Sequence, residues 1–239
     1  MHRSDSIGFG GLELFQDPDA FCYGIDSVLA AGFAARSRIN VRKALDMGTG
    51  NGIIPLILSH KTDWPVIMGI EIQKEQAELA RQSIERNGLE QRIGILCMDV
   101  KDARAEDIGK YDLITCNPPY MKRGSGMMSS NTAKMTARHE TTADIGDFMN
   151  AAAELLADKG EVVFVYRPSR LSEIMNAAVN SGLSPMECQM VCPFRGECAN
   201  IVLLRFKKGQ KTPLTVFPEL IVREADGEYS QEVLEIYEK

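Results

Sequence analysis

The feature that most constrains this chain is an alternation of two periodicities between residues 43 and 206. Apolar runs that read as strands fall at Lys43–Met47, Val66–Ile72, Ile93–Met98, Tyr111–Cys116, Glu161–Tyr166 and Ile201–Phe206. Helically spaced apolar residues fill intervals at Lys74–Asn87, Ile145–Ala157 and Ser169–Ser181. In Lys74–Asn87, Ala77, Leu79, Ala80 and Ile84 line one face, and Asn87-Gly88 closes the helix as a C-terminal cap. Strands joined through helices pair in parallel, so the pattern predicts an α/β fold with helices on both faces of a parallel sheet. A further apolar helix follows Asp26, which is placed to be its N-cap. The 239 residues, 44% hydrophobic and 25% charged, suffice for one core, and no linker-like stretch divides them. We therefore expect a single domain over 1–239, with an N-terminal segment (1–40) ahead of the core (41–239).

Composition excludes several classes. No apolar run approaches the roughly 18 residues that span a bilayer. The start lacks the apolar region of a signal peptide. The expectation is a soluble, cytoplasmic protein with no membrane partner and no obligatory protein partner. Six cysteines stand at 22, 97, 116, 188, 192 and 198, three of them in apolar stretches, and without a secretion signal they do not read as a disulfide framework. Cys188, Cys192 and Cys198 lack the tight pairs and fourth ligand of a zinc site, and His2, His60 and His139 lie far away in sequence, so no metal is expected. The net charge of −6 argues against non-specific coating of nucleic acid. Locally the balance differs. No acidic residue lies between Asp112 and Glu140, where Lys122, Arg123, Lys134 and Arg138 fall, and a second basic run holds Arg205, Lys207, Lys208 and Lys211. The plain reading of both is a solvated loop and a charged strand end. The polar stretch Pro118–Thr142, about 25 residues, is of a length that tends to be functional.

The first strand runs into Leu45-Asp46-Met47-Gly48-Thr49-Gly50-Asn51-Gly52 and then into the apolar stretch Ile53–Ser59. Glycines there let the backbone turn sharply and let a ligand approach closely. The even spacing of Gly48, Gly50 and Gly52, with Asp46 two positions ahead, departs from the phosphate-binding Gly-x-Gly-x-x-Gly of dinucleotide sites. Glu71, followed by Ile72, ends the second strand, where a carboxylate can accept both hydroxyls of a ribose. Asp99, followed by Val100, ends the third and can meet the amino group of an adenine ring. A nicotinamide-type site competes with this reading, and Glu71 and Asp99 can equally be helix caps or exposed strand ends.

Together these residues resemble the class I S-adenosylmethionine methyltransferases. The resemblance implies a Rossmann-like, mostly parallel seven-stranded sheet with helices on both faces. It implies S-adenosylmethionine as cofactor and S-adenosylhomocysteine as product, with Asp46 to Gly52 at the methionine part, Glu71 and Ile72 at the ribose, and Asp99 and Val100 at the adenine.

The fourth strand ends in Asn117-Pro118-Pro119-Tyr120. Two prolines stiffen the turn and remove two backbone donors. An amino group conjugated to a ring is a poor nucleophile, because its lone pair is delocalised. The Asn117 side-chain oxygen and the Pro118 carbonyl can accept its two hydrogens as pre-aimed dipoles and favour a pyramidal nitrogen. Tyr120 offers a flat face to a base turned out of its stack. The motif resembles the amino-methyltransferases of adenine, cytosine, guanine and protein glutamine, so it bears on the chemistry more than on the substrate.

Over nearly the whole chain the resemblance is to the bacterial tRNA1(Val) adenine-N6-methyltransferases. The opening segment Gln16 to Ala30, Ala137-Arg138-His139-Glu140 and the tail Asp226-Gly227-Glu228-Tyr229-Ser230 carry it. It implies a tRNA partner, with Tyr23, Asp26 and Ser27 closing over the methionine end of the cofactor, next to Asn117. Lys122, Arg123, Lys134 and Arg138 would meet phosphates, as would Arg195 and the Lys207–Lys211 run. Phe21 and Tyr23 as core aromatics, and Arg138 and His139 as a surface pair, are the competing readings. A protein glutamine methyltransferase shares Asn-Pro-Pro-Tyr but carries a helical domain ahead of its glycine loop, for which the roughly 45 residues here are too few. An rRNA guanine or DNA adenine methyltransferase is a further alternative, though no target-recognition insertion is visible. A non-catalytic nucleic-acid-binding scaffold has no need of Asp46, Gly48, Gly50, Glu71 and Asn117 together.

Overall fold

The computed structural model describes residues 3–17, 23–119, 143–209 and 213–238. Strands β3 (Lys43–Met47), β4 (Val66–Glu71), β5 (Ile93–Cys97), β6 (Tyr111–Cys116), β7 (Leu156–Tyr166), β8 (Leu183–Phe194), β9 (Ile201–Lys208) and β10 (Thr215–Arg223) form one sheet in the order β10-β8-β9-β7-β6-β3-β4-β5. β9 runs antiparallel to β7 and β8, and the other neighbours are parallel. The sheet is the mostly parallel one expected, with an eighth strand because β10 pairs in parallel with β8 at the edge. β1 (Arg3–Ser6) and β2 (Glu13–Gln16) make a separate antiparallel hairpin.

Helices α1 (Ile25–Ala35), α2 (Ile53–Lys61), α3 (Lys74–Arg86), α4 (Ala105–Ile108), α5 (Ile145–Leu155), α6 (Leu171–Asn180) and α7 (Gln231–Tyr237) surround the sheet. Its two faces bury different neighbours because strand side chains alternate. On β7, Val163 and Val165 share a core with Val28 and Leu29 of α1 and Leu56 of α2. Val162, Phe164 and Tyr166 join a second core with Phe148 and Met149 of α5 and Ile174 of α6. Asp26 is not the N-cap of α1. Gly24 takes that place, and Asp26 falls in the first turn.

The chain lays down β3, β4 and β5 outward in one direction, then returns to place β6 on the other side of β3. The loops leaving β3 and β6 diverge at this switch, which opens a crevice at the strands' C-terminal ends.

A buried ion cluster fastens α1 to the sheet. Arg205 on β9 is 1% exposed. Its Nε donates to Glu187 on β8 at 2.7 Å, Nη1 to Glu161 on β7 at 2.9 Å, and Nη2 to the Phe33 carbonyl of α1 at 2.6 Å. Ser37 Oγ, just beyond α1, donates to the same Glu161 oxygen at 2.8 Å. For Arg205 this corrects the reading of the second basic run as a solvated, charged strand end. Arg205 is inside the protein, and Lys208 donates to the carbonyls of Ala153 and Leu156. Lys207 Nζ lies 4.0 Å from Glu161. Because β9 is antiparallel, Lys207 and Lys208 also lie toward the opposite end of the strands from the crevice, roughly 20 Å away at about 3.3 Å per residue. Lys211 lies outside the described residues.

Arg205→Ala would leave Glu161 buried without its guanidinium. We expect a stability loss of about 3–5 kcal/mol in urea unfolding, as for other broken buried pairs. A loss below about 1 kcal/mol, the range of exposed pairs, would show that the cluster is not a structural anchor.

Candidate active site

Four strand ends supply the crevice: Asp46 on β3, Glu71 on β4, Asp99 two residues past β5, and Asn117 directly after β6. The glycine loop joins β3 to α2. Gly48, Gly50 and Gly52 all have positive φ (70°, 56° and 85°), which disfavours any side chain there. A Cβ on Gly52 would stand 3.1 Å from Ala80 of α3, whereas one on Gly50 would meet open space. Gly52 thus serves helix packing, and Gly50 borders the crevice.

The loop commits its N–H groups within the protein. Gly48 and Thr49 both donate to the Ile70 carbonyl at 2.9 Å, and Gly52 donates to the Thr49 carbonyl at 3.0 Å. Glu71, buried at the end of β4, accepts from Gly50 N through one oxygen and from Gln73 N through the other, each at 2.8 Å. A diphosphate cradle offers such N–H groups to its ligand, and here four are used by the framework.

Asp46 forms the floor. It is 1% exposed, and its Oδ1 accepts from Thr115 Oγ1 of β6 at 2.7 Å. Its Oδ2 and the buried Thr49 hydroxyl make no hydrogen bond of ordinary geometry, although the hydroxyl lies close enough to the carboxyl to act on it. Burial pushes the Asp46 carboxyl up to about 7; the Thr115 and Thr49 hydroxyls oppose the shift, and the nearby Glu71 charge adds to it. A buried acid with an oxygen lacking a partner favours a cationic ligand group, which would restore both the missing hydrogen bond and the charge balance.

Asp99 accepts from Lys101 N at 2.9 Å and caps the short turn Val100–Asp102, so its capping role is real. Val100 is buried, and Ile72 is 38% exposed. Asn117 is half-buried, Pro118 buried and Pro119 exposed. The Asn117 Nδ2 donates to Ser27 Oγ in the first turn of α1 at 3.1 Å. The neighbouring Asp26 pairs with Arg167, beyond β7, at 3.3 Å, and Arg167 also donates to the Asn200 carbonyl at 3.0 Å. Tyr23 donates its N–H to Gln16 Oε1 at 3.3 Å, and burial raises its phenol, with the Asp5 charge adding to the effect.

Asn117, Ser27, Asp46 and the glycine loop are thereby brought to the switch point. Tyr120, Lys122, Arg123, Lys134 and Arg138 lie outside the described residues, as do Phe21 and His139. Arg195 is exposed on the turn between β8 and β9, at the same sheet edge as the crevice. Among the described residues no group of three or more His, Cys, Asp or Glu side chains is placed to hold a metal. No helix among them is long and apolar enough to cross a membrane. Sequence reading passed over Thr115 and Arg167. The available signal for Thr115 was a hydroxyl within an apolar strand, since a buried polar group needs a partner.

A crevice that ties its loop amides into its own framework and keeps an acid on its floor suits a cationic ligand better than a diphosphate. The sheet carrying it has the fold of the class I methyltransferases. A solved structure from Agrobacterium tumefaciens, described as a predicted O-methyltransferase, matches it with a TM-score of 0.70 at 22% identity, covering 89% of this chain and 95% of that one. A family model described as RNA methyltransferase matches residues 21–180, and the chain belongs to that family. The chain is 28% identical over 237 residues to the tRNA1(Val) (adenine(37)-N6)-methyltransferase of Aeromonas hydrophila, with 99% of this chain and 97% of that one covered. For the enzyme of the same name from Tolumonas auensis the identity is 29% over 230 residues, with 96% and 93% covered.

The Asp46 shift has a consequence for stability. The unfolded chain releases this proton near 3.8 and the folded protein near 7, so rising pH between those values favours unfolding. Asp46→Asn keeps an oxygen for Thr115 and removes the titration. Urea unfolding should show the variant gaining on the parent protein as pH rises from about 4 to about 7, then levelling. A pH-independent difference would mean that Asp46 ionises normally.

Proposed function

We propose that this protein methylates the exocyclic N6 of an adenine in tRNA, with S-adenosylmethionine as methyl donor and adenine 37 of tRNA1(Val) as the target. The observation that carries the reading is Asn117-Pro118-Pro119 at the end of β6, beside the glycine loop at the sheet's switch point. Family membership and the names of the near-full-length relatives support the substrate.

The residues present fit the cofactor. Asp46 has an oxygen with no partner for an ammonium group, and Gly50 leaves room for close approach. In this reading Asp46 with Gly48, Gly50 and Gly52 holds the methionine part, Glu71 and Ile72 the ribose, and Asp99 and Val100 the adenine. Tyr23, Asp26 and Ser27 close the methionine end, within the segment 1–40 that caps the core. The chemistry S-adenosylmethionine supplies is a methyl group on a positively charged sulfur, already activated to leave, with S-adenosylhomocysteine as product.

The protein's task is then orientation. Asn117 Oδ1 and the Pro118 carbonyl accept the two hydrogens of the adenine amino group, which draws its lone pair out of conjugation and aims it for in-line attack. Pro119 stiffens the turn and Tyr120 stacks on the base. Lys122, Arg123, Lys134, Arg138 and Arg195 meet RNA phosphates, which adds affinity without reading sequence.

The decisive experiment incubates the protein with radiolabelled S-adenosylmethionine and unmodified total tRNA, with release factor and ribosomal RNA in parallel. We expect label in tRNA, identified by mass as N6-methyladenosine. Label confined to release factor or ribosomal RNA would overturn the substrate, and binding of the cofactor without any transfer would overturn the activity. Asn117→Ala should cut turnover at least about a hundredfold while cofactor affinity holds, as for loss of a pre-aimed dipole. Unchanged turnover would remove Asn117 from the mechanism. Arg195→Glu should weaken tRNA binding across sequences and lower the slope of log affinity against log salt by about one. An unaltered slope would take Arg195 off the RNA surface.

A further inference from the structure

We propose that Thr115 is a positioning residue for the cofactor's ammonium group, its hydroxyl holding the Asp46 carboxyl in the ionised state with Oδ2 left for the cation. The inference rests on the reading of Asp46 as the seat of that group.

Every side chain of β6 from Leu113 to Cys116 is buried. Leu113, Ile114 and Cys116 pack in the apolar cores, whereas Thr115 brings a hydroxyl into the same strand at 0% exposure. Valine has nearly the same shape and no polar atom to satisfy, so packing gives no reason for the hydroxyl. The register sets Thr115 directly opposite Asp46 on β3 and Val163 on β7. Its backbone is thus held in the sheet from both sides, and its β-branched side chain has few rotamers. Oγ1 lies 2.7 Å from Asp46 Oδ1 and 3.4 Å from the Leu45 carbonyl. With Asp46 ionised, both neighbours are acceptors only, so the hydroxyl must donate. The shorter contact has the length of a bond to a charged oxygen. A neutral carboxyl offers a weaker acceptor, or takes the hydroxyl's lone pair and leaves its hydrogen the longer contact to Leu45. The arrangement therefore favours the ionised form.

The other groups facing Asp46 do not do this from a fixed place. Glu71, at the end of neighbouring β4, adds a like charge that favours protonation. Cys116 stays neutral, its thiol pushed up by burial and then by the Asp46 charge. The Thr49 hydroxyl acts on the carboxyl from the glycine loop but makes no hydrogen bond of ordinary geometry. Burial is the larger effect, so Asp46 stands at about 7 with Thr115 opposing the rise. An acid poised there receives a cation only in its ionised fraction, and the Thr115 bond sets that fraction near neutral pH. Thr115 stands two residues before Asn117, so one strand both tunes the cofactor's seat and delivers Asn117 to the substrate.

The first test needs no cofactor. Carbon-13 NMR of the Asp46 carboxyl should show a midpoint of about 7 in the parent protein. In Thr115→Val we expect it raised by about one pH unit, the scale of one hydrogen bond to a charged group. Thr115→Ser, which keeps the hydroxyl, should titrate as the parent does, and Thr115→Ala replaces the valine variant if that fails to fold. The second test is the Kd for S-adenosylhomocysteine by calorimetry. Thr115→Val should bind about tenfold more weakly than the parent at about pH 6 and within about twofold at about pH 9, where both carboxyls are ionised. The ligand's own titration is common to both proteins and cancels from the ratio. An unmoved or lowered Asp46 midpoint, a Kd ratio independent of pH, or a serine variant that behaves as the valine one would each overturn the proposal. If Asp46→Asn loses affinity while Thr115→Val binds as the parent at every pH, only the role of Thr115 falls. If Asp46→Asn binds as tightly as the parent, the reading of Asp46 as the ammonium seat falls with it.

Discussion

The Glu71 carboxylate links two backbone segments that would otherwise be independent. One oxygen takes the Gly50 N–H and the other the Gln73 N–H, so the loop after β3 and the turn after β4 share one anchor. The Ile70 carbonyl, one residue earlier, takes two further N–H groups from the loop. The shape of the crevice depends on this pairing, because a loop with three positive-φ glycines has little conformational preference of its own. Charge-assisted bonds to backbone N–H groups are among the stronger ones available, and they are sheltered here.

Beneath that loop the protein holds two groups that its own framework does not satisfy, the Asp46 Oδ2 and the Thr49 hydroxyl. Buried polar atoms without partners cost stability, and such sites are where function is purchased from folding. In the Arg205 cluster, by contrast, buried charge is answered, since two carboxylates and a carbonyl meet one guanidinium. The contrast is informative. The cluster locks α1 in place, and α1 carries Ser27 to Asn117, so a rigid anchor at one end of a helix supports a polar contact in the crevice at the other.

Much of this was legible because local rules and tertiary demands agree. Alternating apolar runs marked β3 to β7 and β9, and the strand-end residues Asp46, Glu71, Asp99 and Asn117 were read at the positions they occupy. Legibility failed where a neighbour distant in sequence decides. β8 and β10 mix polar and apolar residues because they approach the sheet edge, so neither shows a clean run. Asp26 looked like a helix cap, but α1 begins one residue earlier, after Gly24, and Asp26 pairs instead with Arg167, far along the chain. Arg205 read as one cation in a basic run, because two acids on separate strands are invisible to a linear scan.

By itself the sequence determined the α/β class, the glycine turn, the acids that end three strands and the Asn-Pro-Pro turn, since each is set by residues within a few positions of one another. The tertiary structure alone decided which groups share a crevice and which charges are buried. Those outcomes depend on contacts such as Asn117 with Ser27, 90 residues apart, and Arg205 with Phe33, 172 apart. Only the return of the chain from β5 to β6, beside β3, brings such pairs within hydrogen-bonding distance.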